Sequence, residues 1–140
     1  MAPDDIRVTL RWTEGMRFEA ETAAGVVSDV DGDGRAGPSP MLVLLEAIGG
    51  CSAADVVDIL RKGRQPLEGL EVEVSGERRE EPPRRYTRLR LVYRIRGEVD
   101  RSKAERAVAL SLETYCSVFH SLAPDLREAS EVEIEIEPGG

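Results

Sequence analysis

At 140 residues the chain has the length of one domain, and its 41% hydrophobic and 33% charged residues describe a globular protein rather than a disordered or membrane-spanning one. A formal net charge of -8 opposes phosphate backbones and anionic bilayers, so neither nucleic acid nor membrane is expected as a partner. Two cysteines and one histidine exclude zinc-finger clusters and disulfide-dense scaffolds, and leave a single cysteine pair as the available redox chemistry.

Residues 1–9 carry Asp4, Asp5 and Arg7 without an apolar run, so they do not read as a signal peptide. The longest apolar stretch, residues 41–45, is too short to span a bilayer, and a cytoplasmic location is expected. Ile6, Val8, Leu10 and Trp12 alternate with polar residues as a half-buried strand does. Gly15 turns the chain into a second alternation through Met16, Phe18 and Ala20, and Gly25 turns it again into Val26 and Val27, giving a small antiparallel meander. Residues 29–40 are expected as a loop.

Ser39 is suited to cap a helix and Pro40 to open it. The helix is predicted to run from there through Cys51 to Arg61 and Lys62, with Gly63 ending it, over about 23 residues or roughly 35 Å. Residues 41–45 are apolar all round, which predicts burial on every side. Gly49 and Gly50 each cost about 1 kcal/mol relative to Ala, so another backbone approaching closely, or a kink, is expected there. Residues 70–74 and 87–95 alternate as two arms of a hairpin joined by a charged, proline-containing loop. Ser102 and Glu105 have the spacing of a capping box opening a second helix. A short helical piece over residues 116–122 should stop before Pro124, and Val132, Ile134 and Ile136 alternate in a last strand. Strands grouped between helices, rather than alternating with them, predict an α+β fold in one domain over residues 1–140.

Several constellations bear on chemistry. Asp29, Asp31, Asp33 and Gly34 imitate the opening of a calcium loop, but Pro40 stands where the bidentate Glu is needed, so a plain loop is expected. Arg84, Arg85, Arg88, Arg90, Arg94 and Arg96 form a basic strip whose one candidate stacking aromatic is Tyr86. Glu71 and Glu73 on the partner arm should neutralise it. His120, four residues after Cys116, could activate a thiolate or join a metal site, and a surface or packing role is the plainer reading. Cys51 and Cys116 read either as small buried hydrophobes or as functional thiols. Cys51 lies among small residues that leave space for a substrate or another segment. Cys116 stands at a helix start, where the dipole favours thiolate.

The run Glu46, Ala47, Ile48, Gly49, Gly50, Cys51, Ser52, Ala53, Ala54, Asp55, Val56, Val57, preceded by Ser39, Pro40 and Met41, resembles the central helix of the OsmC/Ohr superfamily. The second cysteine, in Tyr115, Cys116, Ser117, Val118, fits as well. Residues 75–83 and 59–64 are similar to the YhfA-type branch, and the likeness covers nearly the whole chain. The resemblance implies an OsmC-like fold, with antiparallel sheets wrapped around a long central apolar helix in an intertwined homodimer whose sites lie at the subunit interface. It implies a thiol-dependent peroxidase of organic hydroperoxides, with Cys51 as the peroxidatic nucleophile and Cys116 as the resolving thiol. An external dithiol would reduce the pair, and no metal or organic cofactor would be needed. In the characterised peroxidases a Glu next to a Pro pairs with an Arg that supports the first thiolate; here the position is Met41. Glu46 does not match that position; Arg11, Arg17 and Arg35 are all possible thiolate partners, though none matches the family arginine; and Asp55, one turn after Cys51, would disfavour a nearby thiolate. The alternative is a non-catalytic protein that binds a small apolar molecule, or a redox sensor.

Overall fold

The computed structural model describes residues 6–140. Asp4 and Asp5, on which the expectation of no signal peptide partly rests, lie outside these residues. The fold is α+β, with two three-stranded sheets and a long helix. The chain falls into two compact units that divide between Leu44 and Leu45.

The first unit is the predicted meander. β1 (Val8–Glu14), β2 (Arg17–Thr22) and β3 (Val27–Asp31) pair antiparallel in sequence order. Leu10 faces Ala20 and Trp12 faces Phe18. Both turns require positive φ, which Gly15 (54°) and Gly25 (88°) adopt without a Cβ penalty. β3 continues three residues into the expected loop. Its last residue, Asp31, is buried and its carboxylate accepts from the backbone N–H groups of Asp33 (2.8 Å), Arg35 (3.3 Å) and Ala36 (2.9 Å). These bonds fold the acidic stretch on itself and hold the Asp31 carboxyl below its ordinary value, so the plain-loop reading accounts for the motif.

α1 (Pro40–Lys62) has the predicted bounds, with Ser39 Oγ accepting from the Leu42 N–H at 3.4 Å. Two details differ. Leu42 is 52% exposed, so residues 41–45 are not covered on all sides within one chain. The left-handed residue at the C-terminus is Arg64 (φ 59°), not Gly63, and Gly63 N–H still closes on the Ile59 carbonyl at 2.9 Å.

In the second unit β4 (Gly69–Arg78) and β5 (Tyr86–Arg96) form the predicted hairpin, and β6 (Ser130–Glu137) adds to the other edge of β5. The β5–β6 pairing is parallel, which corrects the all-antiparallel expectation. The physical reason is the long helical connection between them, because a chain that crosses over through helices returns in the same direction. β5 is therefore central. Leu89, Leu91, Tyr93 and Ile95 are buried with Ile48, Val56 and Leu60 of α1 and Ala104, Ala107 and Val108 of the following helix. Outward, Arg94 bridges Glu73 (3.0 Å) and Glu71 (3.6 Å) as expected, while Arg88 and Arg90 pair with Glu131 and Glu133 of β6. Tyr86, the aromatic an RNA surface would have used, is buried at the start of β5.

α2 (Arg101–Leu110) is capped by Asp100, whose carboxylate accepts from Lys103 N–H at 3.2 Å. The capping box expected at Ser102 is not formed; Ser102 Oγ instead donates to Asp100 Oδ1 at 2.5 Å. A π-helical turn, Ser111–Tyr115, follows, then α3 (Ser117–His120) and α4 (Pro124–Glu128). Pro124 does stop one helix, and it also opens the next, where its missing N–H costs nothing.

Candidate functional site

The two cysteines come from elements far apart in sequence and meet in the second unit. Gly49 lets α1 close on β4: a Cβ there would lie 3.0 Å from Val74 Cγ2. Gly50 faces open space, so only the first of the two glycines answers a close approach within the chain. Cys51 follows, half-buried, while Cys116 is fully buried. Cys116 is placed by the π-helical turn. Its N–H bonds to the Ser111 carbonyl at 2.7 Å, closing the wide turn, and it then becomes the N-cap of α3. Wide turns of this kind recur at functional sites. The Phe119 N–H donates to Cys116 Sγ at 3.4 Å, so Cys116 does stand at a helix start, but the thiolate expected there is not favoured, because burial outweighs this one amide.

The Cys51 and Cys116 thiols lie close enough to influence each other, and both are free. Burial pushes the Cys116 thiol up to about 11. The Phe119 amide opposes this, and Cys51 and the Asp55 charge reinforce it. The effect anticipated for Asp55 thus falls on Cys116. The half-buried thiol and the buried one are different chemical species in waiting, one open to a reagent and one held as S–H.

A line of buried hydroxyls links the elements that carry the pair. Ser52 Oγ lies 2.6 Å from Tyr93 OH and 2.9 Å from Ser111 Oγ, and Ser111 Oγ donates to Asp55 Oδ2 at 2.8 Å. Burial raises the Tyr93 phenol to about 12; Ser52 lowers it, and Cys116 and Asp55 add to the rise. The sequence reading missed this line. Ser52 counts there only as one of the small neighbours of Cys51, and neither Tyr93 nor Ser111 is singled out. Two signals were available: Ser52 and Asp55 are three apart and share a helix face, and a Tyr among aliphatic strand residues needs a partner for its hydroxyl.

The remaining candidates lie elsewhere. His120 is exposed; its ring packs edge-on to Phe119, and its backbone N–H bonds to the Cys116 carbonyl at 3.0 Å. No group of three or more His, Cys, Asp or Glu that could hold a metal occurs among the described residues. Glu46 is exposed. Arg11 and Arg17 pair with Glu21 (2.7 Å) and Glu14 (3.0 Å) inside the first sheet. Among the described residues no helix is long and apolar enough to cross a membrane.

Two three-stranded sheets and a long helix in an α+β fold are the architecture of a known class. The chain belongs to the family described as OsmC-like protein, which matches residues 31–129. It is similar to Protein YhfA of Escherichia coli K12, with 45% identity over 115 residues, covering 81% of this chain and 86% of that protein. A hypothetical protein of Aquifex aeolicus VF5 superposes with a TM-score of 0.88 and 31% identity over 98% of this chain and 99% of the other. The organic hydroperoxide resistance protein OhrB of Bacillus subtilis shares the fold at a TM-score of 0.62 and 19% identity, over 97% and 100% of the two chains.

Proposed function

We propose that this protein is a thiol-dependent peroxidase that reduces organic hydroperoxides through Cys51 and Cys116, working as a homodimer of single OsmC-like domains in the cytoplasm. The observation that carries the reading is the closeness of two free thiols, one half-buried and one buried. Cys51, the more accessible, attacks the terminal oxygen of the hydroperoxide as thiolate. The O–O bond breaks, the alkoxide takes a proton from solvent and leaves as alcohol, and Cys51 becomes a sulfenic acid. Cys116 sulfur then attacks Cys51 sulfur. The S–O bond breaks and the hydroxyl leaves as water with the Cys116 proton, so the buried thiol never has to persist as an anion. An external dithiol reduces the disulfide by exchange. No bound metal or organic cofactor enters these steps.

Reduced protein treated with cumene hydroperoxide is expected to lose both titratable thiols and release cumyl alcohol. Cys51→Ser abolishes the loss. Cys116→Ser stops at a sulfenic acid that dimedone traps. A thiol count that stays at two in the native protein overturns the peroxidase reading and leaves the binding or redox-sensing alternative, to which Met41 in place of the peroxidase Glu already lends weight.

A further inference from the structure

Ser52, Ser111 and Tyr93 are each fully buried, and their hydroxyls form one line. A hydroxyl has a single proton to give, and a carboxylate can only accept. Ser111 gives its proton to Asp55. The Ser52–Ser111 bond must then use the proton of Ser52, and the Tyr93–Ser52 bond that of Tyr93. The line therefore runs in one direction, Tyr93 to Ser52 to Ser111 to Asp55. Its charge-assisted end polarises every bond behind it. A buried line with only one proton arrangement is stiff, because any member that turned away would leave its neighbour unsatisfied.

The line joins the elements that bear the cysteines. Ser52 follows Cys51 directly in α1, Tyr93 stands in the central strand β5, and Ser111 opens the π-helical turn. Ser111 holds on at both ends. Its side chain is bonded to Ser52 and Asp55, and its carbonyl accepts the N–H of Cys116.

We propose that the Asp55–Ser111–Ser52–Tyr93 line positions the sulfurs of Cys51 and Cys116 for disulfide closure, with Ser111 as the joint between the two elements. The inference rests on Cys51 and Cys116 being a redox pair, and it assigns positioning residues outside the pair itself. The Ser111 hydroxyl is committed to Ser52 and Asp55, so its substitution should act on closure rather than on the first attack.

Closure in a glutathione redox buffer tests this without any hydroperoxide, by the fraction of disulfide at equilibrium and its rate of formation. Ser111→Ala is expected to slow closure by roughly tenfold to a hundredfold, the scale of an ångström-sized misplacement. It should slow the hydroperoxide-driven sulfenic acid step, read by dimedone trapping, much less. Ser111→Thr, which keeps the hydroxyl, restores most of the closure rate. Asp55 is only half-buried, so Asp55→Ala gives a second readout if Ser111→Ala does not fold, and it should slow closure where Asp55→Asn, still an acceptor, does not. Folded Ser111→Ala or Asp55→Ala protein closing at the native rate overturns the proposal, as does native protein that forms no disulfide in the glutathione buffer. Failure of the peroxidase reading alone appears differently, as a pair that closes with glutathione and ignores hydroperoxide.

Discussion

Cys116 sets the pH behaviour of the pair. Its thiol is raised from an ordinary value of 9.0 to about 11, chiefly by burial. Below pH 9 the folded and unfolded chains both keep this proton. Between 9 and 11 the unfolded chain releases it while the native one holds it, so native protein binds more protons and its stability falls as pH rises through that window. The urea midpoint of the reduced protein is expected to fall from pH 9 to 11, and Cys116→Ala, though less stable throughout for the lost packing, should fall less steeply. Equal slopes in the two proteins would sink the assignment. Tyr93 has a parallel window from 10 to about 12, which Tyr93→Phe removes separately. These residues also show where the sequence stops being legible. Cys51 among small residues and Cys116 at a helix start made both cysteines candidates from the sequence. The pairing of Ser52 with Ser111 could not be read there, because it depends on the exact angle at which a wide turn brings Ser111 to α1.

Elements were legible where local chemistry decides them. Ser39 and Pro40 mark the start of α1, and the alternations of β4 and β5 mark their faces, because capping and pleat are encoded by neighbours. Legibility failed where two local options compete or where a partner is remote. Asp100 and Ser102 are both competent caps, and Asp100 wins because its carboxylate takes both the Lys103 N–H and the Ser102 hydroxyl. The same two bonds hold the Asp100 carboxyl below its ordinary value. Asp100→Ala should therefore lower the urea midpoint more than Ser102→Ala, whose loss leaves the amide bond in place; the reverse order would return the cap to Ser102. The direction of β6 was hidden for the other reason. Its alternation fits either sense, and the parallel pairing with β5 follows only from the helices that intervene.

For the molecule as a whole, the apolar residues left uncovered are the informative ones. Val8, Leu10 and Trp12 alternate along β1 and are 55%, 51% and 69% exposed, with Leu10 opposite Ala20 and Trp12 opposite Phe18 on the neighbouring strand. A chain with a formal charge of -8 that still presents such a strip has a surface suited to association. On the homodimer proposed above, sedimentation equilibrium gives about twice the 15.4 kDa chain mass. Leu10→Glu combined with Trp12→Lys shifts the protein toward monomer while leaving the fold intact, since both side chains are exposed in the single chain. Charge supplies an independent sign. Two acidic chains repel, and salt screens that repulsion over a Debye length of about 10 Å at 0.1 M. An association driven by apolar surface against this repulsion should tighten as salt rises from low to physiological strength. An association held by ion pairs between chains would loosen instead. Dimers that weaken in salt, or that survive the double substitution unchanged, would place the interface on another surface of the molecule.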